Sequence, residues 1–370
     1  MEIRVLEIIR QGEIGGGESH LLDLIRELKT KDIHITVVSF SRGAMTERLE
    51  AMGVPVFIVE TSSAFMPAAM KAIKNIIRRE RINIIHAHGS RAASNVAFVA
   101  RMCNVPLVYT VHGWSFHQGQ SALVYRLRML CEKLICGCSS TVVCVSADNI
   151  ESGRQAFGLK SAELIENGVN TEIFSPSRTH GIRSALGIGE DDCVVGFIGR
   201  MTLQKDPVSF LEAVKIANSR RPNIRGLLVG EGDMDDTVDK YIKEHLPQGV
   251  IIRSPFRLDI PEVLASVDIY SLCSLWEGLS IGLLEAMAMQ KPVVVTPTDG
   301  SRTVIRDGEN GFFVPFRSPA AMADCFIRLH DDKTLAAEAG RRAGQMVDAR
   351  FNSRRVADAV YDIYRKEVEC

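Results

Sequence analysis

Short apolar runs alternate with longer amphipathic stretches along the chain, and this alternation constrains the fold more than any other feature. The first set of runs is rich in Val and Ile and apolar on both faces, as parallel strands buried under helices must be. These runs span residues 3–9, 34–40, 54–60, 82–88, 105–112 and 140–146. Helical patterns lie between them at 18–30, 66–81, 90–103 and 120–137. The order of elements predicts a doubly wound α/β sheet.

The same alternation occurs again in the second half of the chain. Strand patterns lie at 193–199, 224–230, 249–254, 267–273 and 291–297. The turn-rich segment 167–192 is predicted to link two Rossmann-like domains, and 370 residues suffice for two cores. We therefore predict domains at 1–168 and 169–350 that face an interdomain cleft, followed by a C-terminal helix at 351–370. Ligands of such sheets bind beyond the carboxyl ends of the strands, so the loops there are the candidate site.

Composition and charge exclude several classes of protein. The net charge of −1 provides no global polycation for nucleic acid. The nine cysteines include no CxxC pair, so we expect reduced thiols in a cytoplasmic protein and no zinc site. Charges at Glu2, Arg4 and Glu7 exclude a signal-peptide core. No apolar run reaches the length that a membrane-spanning helix needs.

Two loops of the first half carry candidate site residues. Three glycines at 15–17 precede a helix, where free N–H groups could approach an anion; a plain tight turn is the alternative. A dinucleotide site is disfavoured, because the loop lacks GxGxxG and no acid ends the second strand. His112 ends the fifth strand and could donate to a sugar hydroxyl or a phosphate. His86 and His88 share one strand face, but without an acid nearby we assign them packing and loop roles.

Two loops of the second half offer cations and flexible backbone. Arg200 and Lys205 lie five residues apart after a strand and could both hold a diphosphate. Gly230 follows the next strand and permits a close approach of the backbone. Asp233 and Asp235 have the DxD spacing of a metal motif, but they stand where a helix begins and Asp is favoured as a cap. We predict helix capping there and no essential metal ion.

The most informative segment carries two glutamates, Glu277 and Glu285, with seven residues between them. Glu277 lies in a loop after a strand, and Glu285 lies inside the following helix. A carboxylate accepts two hydrogen bonds, which suits vicinal hydroxyls of a sugar. Backbone N–H groups at the helix start could contact phosphate. These groups belong to Gly278, Leu279, Ser280 and Ile281.

At these residues the chain resembles family 4 of the retaining glycosyltransferases, which have the GT-B fold. The segment EGLSIGLLEAMA resembles the E-x7-E motif of that family, and GRMTLQKD resembles its phosphate-binding Arg/Lys loop. GGGESHLLDLI resembles its N-terminal glycine loop, and YTVHG the loop of its active-site histidine. IENGVNTEIFSP resembles its crossing between domains. The ordered set spans nearly the whole chain.

The resemblance implies a role for each matching residue. Arg200 and Lys205 would hold the donor diphosphate. Glu285 would bind the ribose hydroxyls, and Glu277 the hydroxyls of the donor sugar. His112 would contact the donor sugar or β-phosphate and help to stabilise the transition state. The other residues implied in donor binding are Gly16, Gly17, Gly230, Phe256, Arg257, Gly278, Leu279, Ser280 and Ile281. The resemblance also implies that the C-terminal helix at 351–370 crosses back to the N-terminal domain.

The activity that the resemblance implies is a retaining, metal-independent transfer. A hexosyl or N-acetylhexosaminyl group would move from a UDP- or GDP-sugar to a hydroxyl acceptor, with no cofactor. The resemblance implies same-face attack, in which the leaving phosphate helps to deprotonate the acceptor, and no enzyme nucleophile is evident in the candidate loops. A sugar-nucleotide epimerase or phosphorylase of the same architecture is the alternative, and a sugar-nucleotide-binding module without catalysis is a third possibility.

The resemblance implies that the N-terminal half carries the acceptor side. That half has a small excess of positive charge and two basic amphipathic stretches, at 66–83 and 121–135. Such helices can rest on anionic lipid, although an ordinary surface helix is the alternative for each. We therefore expect a lipid-linked glycan acceptor in bacterial surface-polysaccharide assembly, with a soluble glycan as the alternative. The expected location is cytoplasmic, peripheral on the inner face of the plasma membrane.

Overall fold

A computed structural model describes residues 2–61, 63–116 and 120–369 of the chain. The structure divides the chain into two compact units. One unit comprises the chain up to Asn167 together with the segment that begins at Ser353, and the other comprises Gly168–Asn352. Each unit contains one parallel sheet with helical connections, so the doubly wound α/β prediction is confirmed for both.

The first unit is built on a seven-stranded parallel sheet. Its strands are β1 (Ile3–Ile9), β2 (Ile33–Ser39), β3 (Val56–Ile58), β4 (Ile84–His88), β5 (Leu107–Val111), β6 (Thr141–Cys144) and β7 (Glu163–Leu164). Its helices are α1 (Gly16–Leu28), α2 (Ala44–Ala51), α3 (Pro67–Arg79), α4 (Gly89–Cys103), α5 (Ala122–Cys138), α6 (Ala147–Phe157) and α14 (Ser353–Glu369). The strand order is β3-β2-β1-β4-β5-β6-β7.

The C-terminal helix α14 is part of the core of the first unit. Its residues Val356, Val360 and Tyr364 are buried in one apolar cluster with Leu21 and Ile25 of α1. The helix also contacts β1 and β4. Burial of its apolar stripe therefore fixes α14 to this unit. In sequence, the second unit lies between α14 and the rest of the first unit.

The second unit is built on a six-stranded parallel sheet. Its strands are β8 (Cys193–Ile198), β9 (Ile224–Val229), β10 (Ile251–Ser254), β11 (Ile269–Leu272), β12 (Val293–Val295) and β13 (Phe312–Phe313). Its helices are α7 (Pro207–Arg220), α8 (Asp235–His245), α9 (Ile260–Ala265), α10 (Ile281–Ala288), α11 (Asp299–Val304), α12 (Pro319–Asp331) and α13 (Lys333–Arg350). The strand order is β10-β9-β8-β11-β12-β13.

The segment 167–192, which the sequence predicts as a linker, is folded into the second unit. Val169 is fully buried and forms a bridge with Asn352, and its N–H donates to the carbonyl of Phe351 at 2.8 Å. Phe174 packs in the same apolar cluster as Val169. The linker interpretation is wrong, because the apolar residues scattered among the turn formers are core residues.

The helices of the described ranges vary in length and in the depth of their burial. None of them is both long enough and apolar enough to cross a membrane. Helix α3 buries its apolar face through Ile73, Ile76 and Ile77. Helix α5 differs, because only Glu132 and Ile135 of its 17 residues are buried.

Candidate active site

The candidate loops lie where the strand order of each sheet reverses. In the second unit β8 pairs with β9 on one side and with β11 on the other. The strands that follow β8 directly therefore extend the sheet on one side of β8, and the later strands extend it on the other side. In the first unit β1 stands in the same way between β2 and β4. The loops that follow the two central strands diverge at such a point and leave a crevice for a ligand. Both candidate regions therefore lie at topological switch points.

Lys205 and Glu277 meet at the switch point of the second unit. The Lys205 ammonium group forms an ion pair with Glu277 Oε1, and the hydroxyl of Ser274 donates to Glu277 Oε2 at 2.8 Å. The two charged side chains are only 13% and 15% exposed. A pair so shielded from water is weakly screened, and both of its members are held in place before any ligand binds.

The loop that carries Arg200 is held against the next loop by backbone packing. Gly230 has a φ of +122°, and a Cβ atom there would lie 2.1 Å from the carbonyl oxygen of Gly199. Only glycine fits this backbone position without displacing the neighbouring loop. Arg200 follows Gly199 directly, is exposed, and has no side-chain partner in the described ranges. Its guanidinium group is therefore available to an anion.

Helix α10 begins inside the predicted glutamate segment. Ser280 is its N-cap, and the Ser280 hydroxyl accepts a hydrogen bond from the N–H of Leu283. The N–H groups of the first turn have no intrahelical acceptor, so they favour an anion at this end. The preceding loop is fixed by Gly300, where a Cβ atom would lie 1.9 Å from the carbonyl oxygen of Gly278. Glu285 lies in the second turn of the helix and is half-buried.

Two buried hydroxyl groups near these loops lack a hydrogen-bond partner among the described residues. They belong to Thr202, between Arg200 and Lys205 in sequence, and to Tyr270, at β11. Burial raises the pKa of Tyr270 well above its ordinary value, and the charges of Glu277 and other groups add to this effect. Buried hydroxyl groups are normally satisfied. Each therefore marks a position where a water or a ligand atom can bind.

The loop after β10 presents an aromatic ring and an arginine that is already paired. Phe256 is 42% exposed, and its N–H donates to Glu231 Oε2 at 3.4 Å. Arg257 donates to both carboxylate oxygens of Asp259, and this contact lowers the pKa of Asp259. The exposed ring could stack on a nucleobase, whereas the charge of Arg257 is balanced within its own loop.

The sequence predicts that Asp233 and Asp235 cap a helix, but neither of them is the N-cap residue. Met234 is the N-cap of α8, and it makes no side-chain cap hydrogen bond. Asp235 is the first residue of the helix, where it accepts from the N–H of Gly232 at 3.0 Å and pairs with Arg253 at 2.6 Å. The carboxylate of Asp235 thus links the start of the helix to Gly232 of the preceding loop and to Arg253 of β10.

In the first unit the glycine loop and the histidine loop lie side by side. Gly16 and Gly17 form the start of α1, and a Cβ atom at Gly17 would lie 3.9 Å from Cδ2 of His112. His112 is half-buried at the end of β5. Burial lowers the pKa of His112 well below its ordinary value, and the charges of His20 and His88 lower it further. His112 is therefore neutral at pH 7.

An acid does lie beside the strand histidines, contrary to the expectation from the sequence. Glu7 of β1 is fully buried, and its Oε2 lies 2.9 Å from His88 Nε2 and 3.3 Å from His86 Nδ1. The register of β1 with β4 brings these residues together, because Glu7 is the partner of His86 in the sheet. The packing assignment of these histidines rested on the expectation that no acid lies near them, and that expectation was wrong.

Two groups of side chains in the described part of the chain could geometrically hold a metal ion. One is Glu7 with His86 and His88, and the other is His20 with His88 and His112; within each, the ligand atoms lie within 4.8 Å of one another. In the first group, however, every side chain is already hydrogen-bonded within the protein. Burial also lowers the pKa of His20 to about 3, so that imidazole is neutral.

Sequence reasoning missed several polar residues around both candidate regions. The most consequential is Glu7, which lies in an apolar strand pattern, where a single charge gives no signal. Ser274, Thr202 and His20 were missed as well. A hydroxyl group in a loop gives no sequence signal of its own, and the neighbour of His20 is distant in sequence. Their partners are Glu277 for Ser274 and His112 for His20, at a ring-centroid distance of 5.0 Å in the latter pair.

Two doubly wound units, each with candidate ligand loops at its switch point, are typical of GT-B glycosyltransferases. The family model for glycosyl transferases group 1 matches residues 180–346, and the model for glycosyltransferase family 4 matches residues 14–173. Together these matches cover most of both units. The chain belongs to this family of glycosyltransferases.

Relatives of known name match most of the chain. An Escherichia coli UDP-Gal:alpha-D-GlcNAc-diphosphoundecaprenol alpha-1,3-galactosyltransferase is 24% identical over 98% of this chain and 97% of its own. A Paenarthrobacter aurescens D-inositol 3-phosphate glycosyltransferase is 26% identical over 78% of this chain and 74% of its own. The crystal structure of Anabaena HepE in complex with UDP-glucose has a TM-score of 0.87 at 21% identity and covers 98% of this chain and 100% of that one. The likeness to HepE confirms the GT-B fold.

Proposed function

We propose that this glycosyltransferase moves a sugar from a UDP-sugar to a polyprenyl-diphosphate-linked acceptor in surface-polysaccharide synthesis, with retention of configuration and without a metal ion. The observation that carries the proposal is the pair of Lys205 and Glu277 at a switch point beside the start of α10. The Escherichia coli relative is named for a lipid-linked acceptor, and HepE binds UDP-glucose, which supports these two substrate classes.

The groups of the second unit suit a departing diphosphate. Cleavage of the bond between the sugar and the phosphate develops negative charge on the leaving group, and fixed cations and N–H groups stabilise that charge. Lys205, Arg200 and the first turn of α10 supply such groups. Glu277 is a poor nucleophile, because one of its oxygens is paired with Lys205 and the other accepts from Ser274. We therefore favour same-face attack assisted by the leaving phosphate over a covalent intermediate.

The experiment is a transfer assay with a panel of UDP- and GDP-sugars and a polyprenyl diphosphate carrying GlcNAc. We expect a product with a UDP-sugar whose anomeric configuration equals that of the donor, read from the one-bond coupling of the anomeric carbon. Full activity is expected in EDTA, because protein cations do the work of a metal. An inverted product would contradict retention, and loss of activity in EDTA that returns with Mg²⁺ would contradict metal independence.

Incubation of the donor without acceptor separates the proposal from its main alternative. A transferase leaves the UDP-sugar largely intact, whereas an epimerase converts it into a stereoisomer. The lipid acceptor is compared with a soluble glycan of the same sugar sequence. A higher rate with the soluble glycan would contradict the lipid-linked assignment.

A leucine stripe on α5 supports a contact between the first unit and the membrane. Leu123, Leu127, Leu130 and Leu134 follow one face of the helix and are 78%, 60%, 52% and 55% exposed. Exposed cations lie on the same helix at Arg126, Arg128 and Lys133. An exposed apolar stripe beside positive charge fits an anionic bilayer surface. The other basic stretch, α3, buries its apolar face and is an ordinary surface helix.

Replacing both Leu127 and Leu130 with glutamate is expected to weaken binding to phosphatidylglycerol vesicles by about 10-fold or more, since each buried leucine contributes about 1.5–3 kcal/mol. Vesicle co-sedimentation measures this change, with phosphatidylcholine vesicles as the neutral comparison. Leu164→Glu is the matched control, because Leu164 is 47% exposed but lies on β7. Equal binding by the double variant and the wild type would contradict the role of α5.

A further inference from the structure

Three histidines of the first unit lie together at the carboxyl edge of its sheet. His88 ends β4, His112 directly follows β5, and His20 lies in the second turn of α1. The two strands are neighbours in the sheet. The ring centroids of the three imidazoles are 5.0, 5.6 and 5.9 Å apart, and one nitrogen of each ring lies within 4.8 Å of the other two. Imidazole groups from three separate elements therefore converge on one position.

Two of these nitrogens have the separation that a tetrahedral metal ion requires. His88 Nδ1 lies 3.3 Å from His112 Nε2. Zinc binds imidazole nitrogen at about 2.0–2.1 Å, so two ligands of a tetrahedral ion lie roughly 3.3–3.4 Å apart. The nitrogen of His20 lies within 4.8 Å of both, and a rotation of its side chain brings it into the same shell. A hydrogen bond between His88 and His112 is the alternative, and it involves one proton and no third histidine.

A buried carboxylate orients one of the three rings as an outer-shell partner would. Glu7 Oε2 lies 2.9 Å from His88 Nε2, and Glu7 Oε1 accepts from the hydroxyl of Tyr364 at 2.7 Å. A histidine that binds a metal ion usually donates its other N–H to a carboxylate, which fixes the ring and its tautomer. When His88 Nε2–H donates to Glu7, the lone pair of His88 lies on Nδ1, the atom that faces His112.

The charge of Glu7 also suits a cation at this position. Glu7 is fully buried, and no lysine or arginine of the described residues pairs with it. A buried charge is costly without a partner of opposite sign. A dication on the far side of the His88 imidazole would balance the carboxylate through the ring that the two share.

The three histidines are shielded but can be reached from one side. His20 and His88 are buried, whereas His112 is half-buried. An ion can enter beside His112, and a water can take the fourth position that three histidine ligands leave open. Imidazole nitrogen suits zinc, whereas Mg²⁺ and Ca²⁺ prefer oxygen ligands.

We propose that His20, His88 and His112 form a binding site for one Zn²⁺ ion in the first unit, with Glu7 as the outer-shell acceptor of His88. The sequence expectation of no zinc site rested on the cysteines, and these histidines are too far apart in sequence to form a spacing motif. The site stands independently of the proposed function, and no step of transfer is assigned to the ion.

Calorimetric titration of the full chain, without an affinity tag, with ZnCl₂ tests the site. We expect one Zn²⁺ ion per wild-type chain. His20→Gln and His112→Gln are each expected to weaken binding by about 100-fold or more, because even loss of an outer-shell partner costs about 10–100-fold. Glu7→Gln changes only the outer shell and is expected to weaken binding by about 10-fold. Circular dichroism without zinc establishes that each variant is folded.

His34→Gln is the matched control, because His34 is an exposed histidine of the same unit whose side chain pairs with Glu2 at 2.7 Å. Its zinc affinity is expected to equal that of the wild type. Titration with Co²⁺ in place of Zn²⁺ identifies the ligand type. Four-coordinate Co²⁺ with nitrogen and oxygen ligands absorbs in the visible range, and a cysteine ligand would add a charge-transfer band in the near ultraviolet.

A wild type that binds no zinc, or whose Co²⁺ spectrum contains the cysteine band, would overturn the proposal. A folded His20→Gln or His112→Gln protein with wild-type zinc affinity would overturn it too and would leave only the hydrogen bond between His88 and His112. Binding lost in His86→Gln but kept in His20→Gln would place the ion at the group of Glu7, His86 and His88 and contradict this site. If His20→Gln fails to fold, His112→Gln and the wild-type Co²⁺ spectrum decide the question.

Discussion

Lys205→Ala is expected to lower kcat by about 10²-fold or more, the usual effect of removing one preorganised group that stabilises developing charge. The Lys205 ammonium group lies at the switch point between β8 and β11, where it contacts Glu277. A departing nucleoside diphosphate gains negative charge in the transition state. A cation that is already in place stabilises this charge without reorganisation, so the loss falls on kcat more than on KM.

The partner of Lys205 sharpens this expectation. Glu277 keeps the ammonium group within the loop before the donor arrives, and both side chains are mostly buried. Among the described residues, loss of Lys205 leaves Glu277 with Ser274 as its remaining hydrogen-bond donor. The variant should therefore lose donor binding as well as turnover, and its thermal stabilisation by UDP should decrease. Glu277→Gln keeps the shape of the pair and should retain UDP stabilisation while losing transfer.

Initial rates at saturating donor and acceptor measure the effect. Lys215→Ala removes the same charge from the exposed side of α7 and is the matched control. It is expected to keep full activity, because a solvated surface cation contributes little. The assignment of Lys205 to the diphosphate would be wrong if its variant turned over at a rate close to that of Lys215→Ala.

The elements that the sequence predicts well are those with long apolar periods. The central strands and several long helices have such periods, and the structure contains them. Helix α13, with 18 residues, was not predicted, because its buried face consists mostly of alanine and glycine. The edge strands β7 and β13 have two residues each, which is too few for an apolar period. They are strands because they pair with β6 and β12, respectively. The buried Val169 and Phe174 lie among turn formers, so local composition indicated a linker where the core continues.

The candidate site was predictable residue by residue but not as an arrangement. Lys205 and Glu277 are 72 residues apart, and they meet because the sheet order places β8 beside β11. Glu7 was harder, because its partners lie 81 residues away at His88 and 357 residues away at Tyr364. A buried carboxylate in a strand is interpretable only when its partners are known. Sheet order is a global property that a local pattern does not contain, and the return of the C-terminal helix was expected from the family resemblance alone.

The second large effect is expected at Glu132, a fully buried carboxylate of α5. It accepts hydrogen bonds from the hydroxyl of Tyr109 at 2.9 Å, from the N–H of Ser115 at 3.1 Å and from the hydroxyl of Ser115 at 2.6 Å. Ser90 Oγ donates to it as well. Burial raises the pKa of Tyr109 well above its ordinary value, so this phenol remains a donor. One side chain thus ties α5 to β5, to the start of α4 and to the loop that follows His112.

Glu132→Ala is expected to lower the free energy of unfolding by about 3 kcal/mol, because it leaves several buried donors without an acceptor and opens a cavity. For a unit of this size the loss corresponds to a decrease in Tm of roughly 6–12 °C. Glu132→Gln retains one acceptor oxygen and should lose less. Urea denaturation followed by circular dichroism measures both variants.

Glu151→Ala is the matched control, since Glu151 is an exposed helical glutamate of the same unit whose carboxylate contacts only Gln155 among the described side chains. A change within about 0.5 kcal/mol is expected there, as for most surface substitutions. Glu132→Ala should also lower transfer, because Ser115 fixes the loop only three residues beyond His112. If Glu132→Ala proved as stable as Glu151→Ala, the four donors would not depend on this carboxylate, and the order of the His112 loop would need another source.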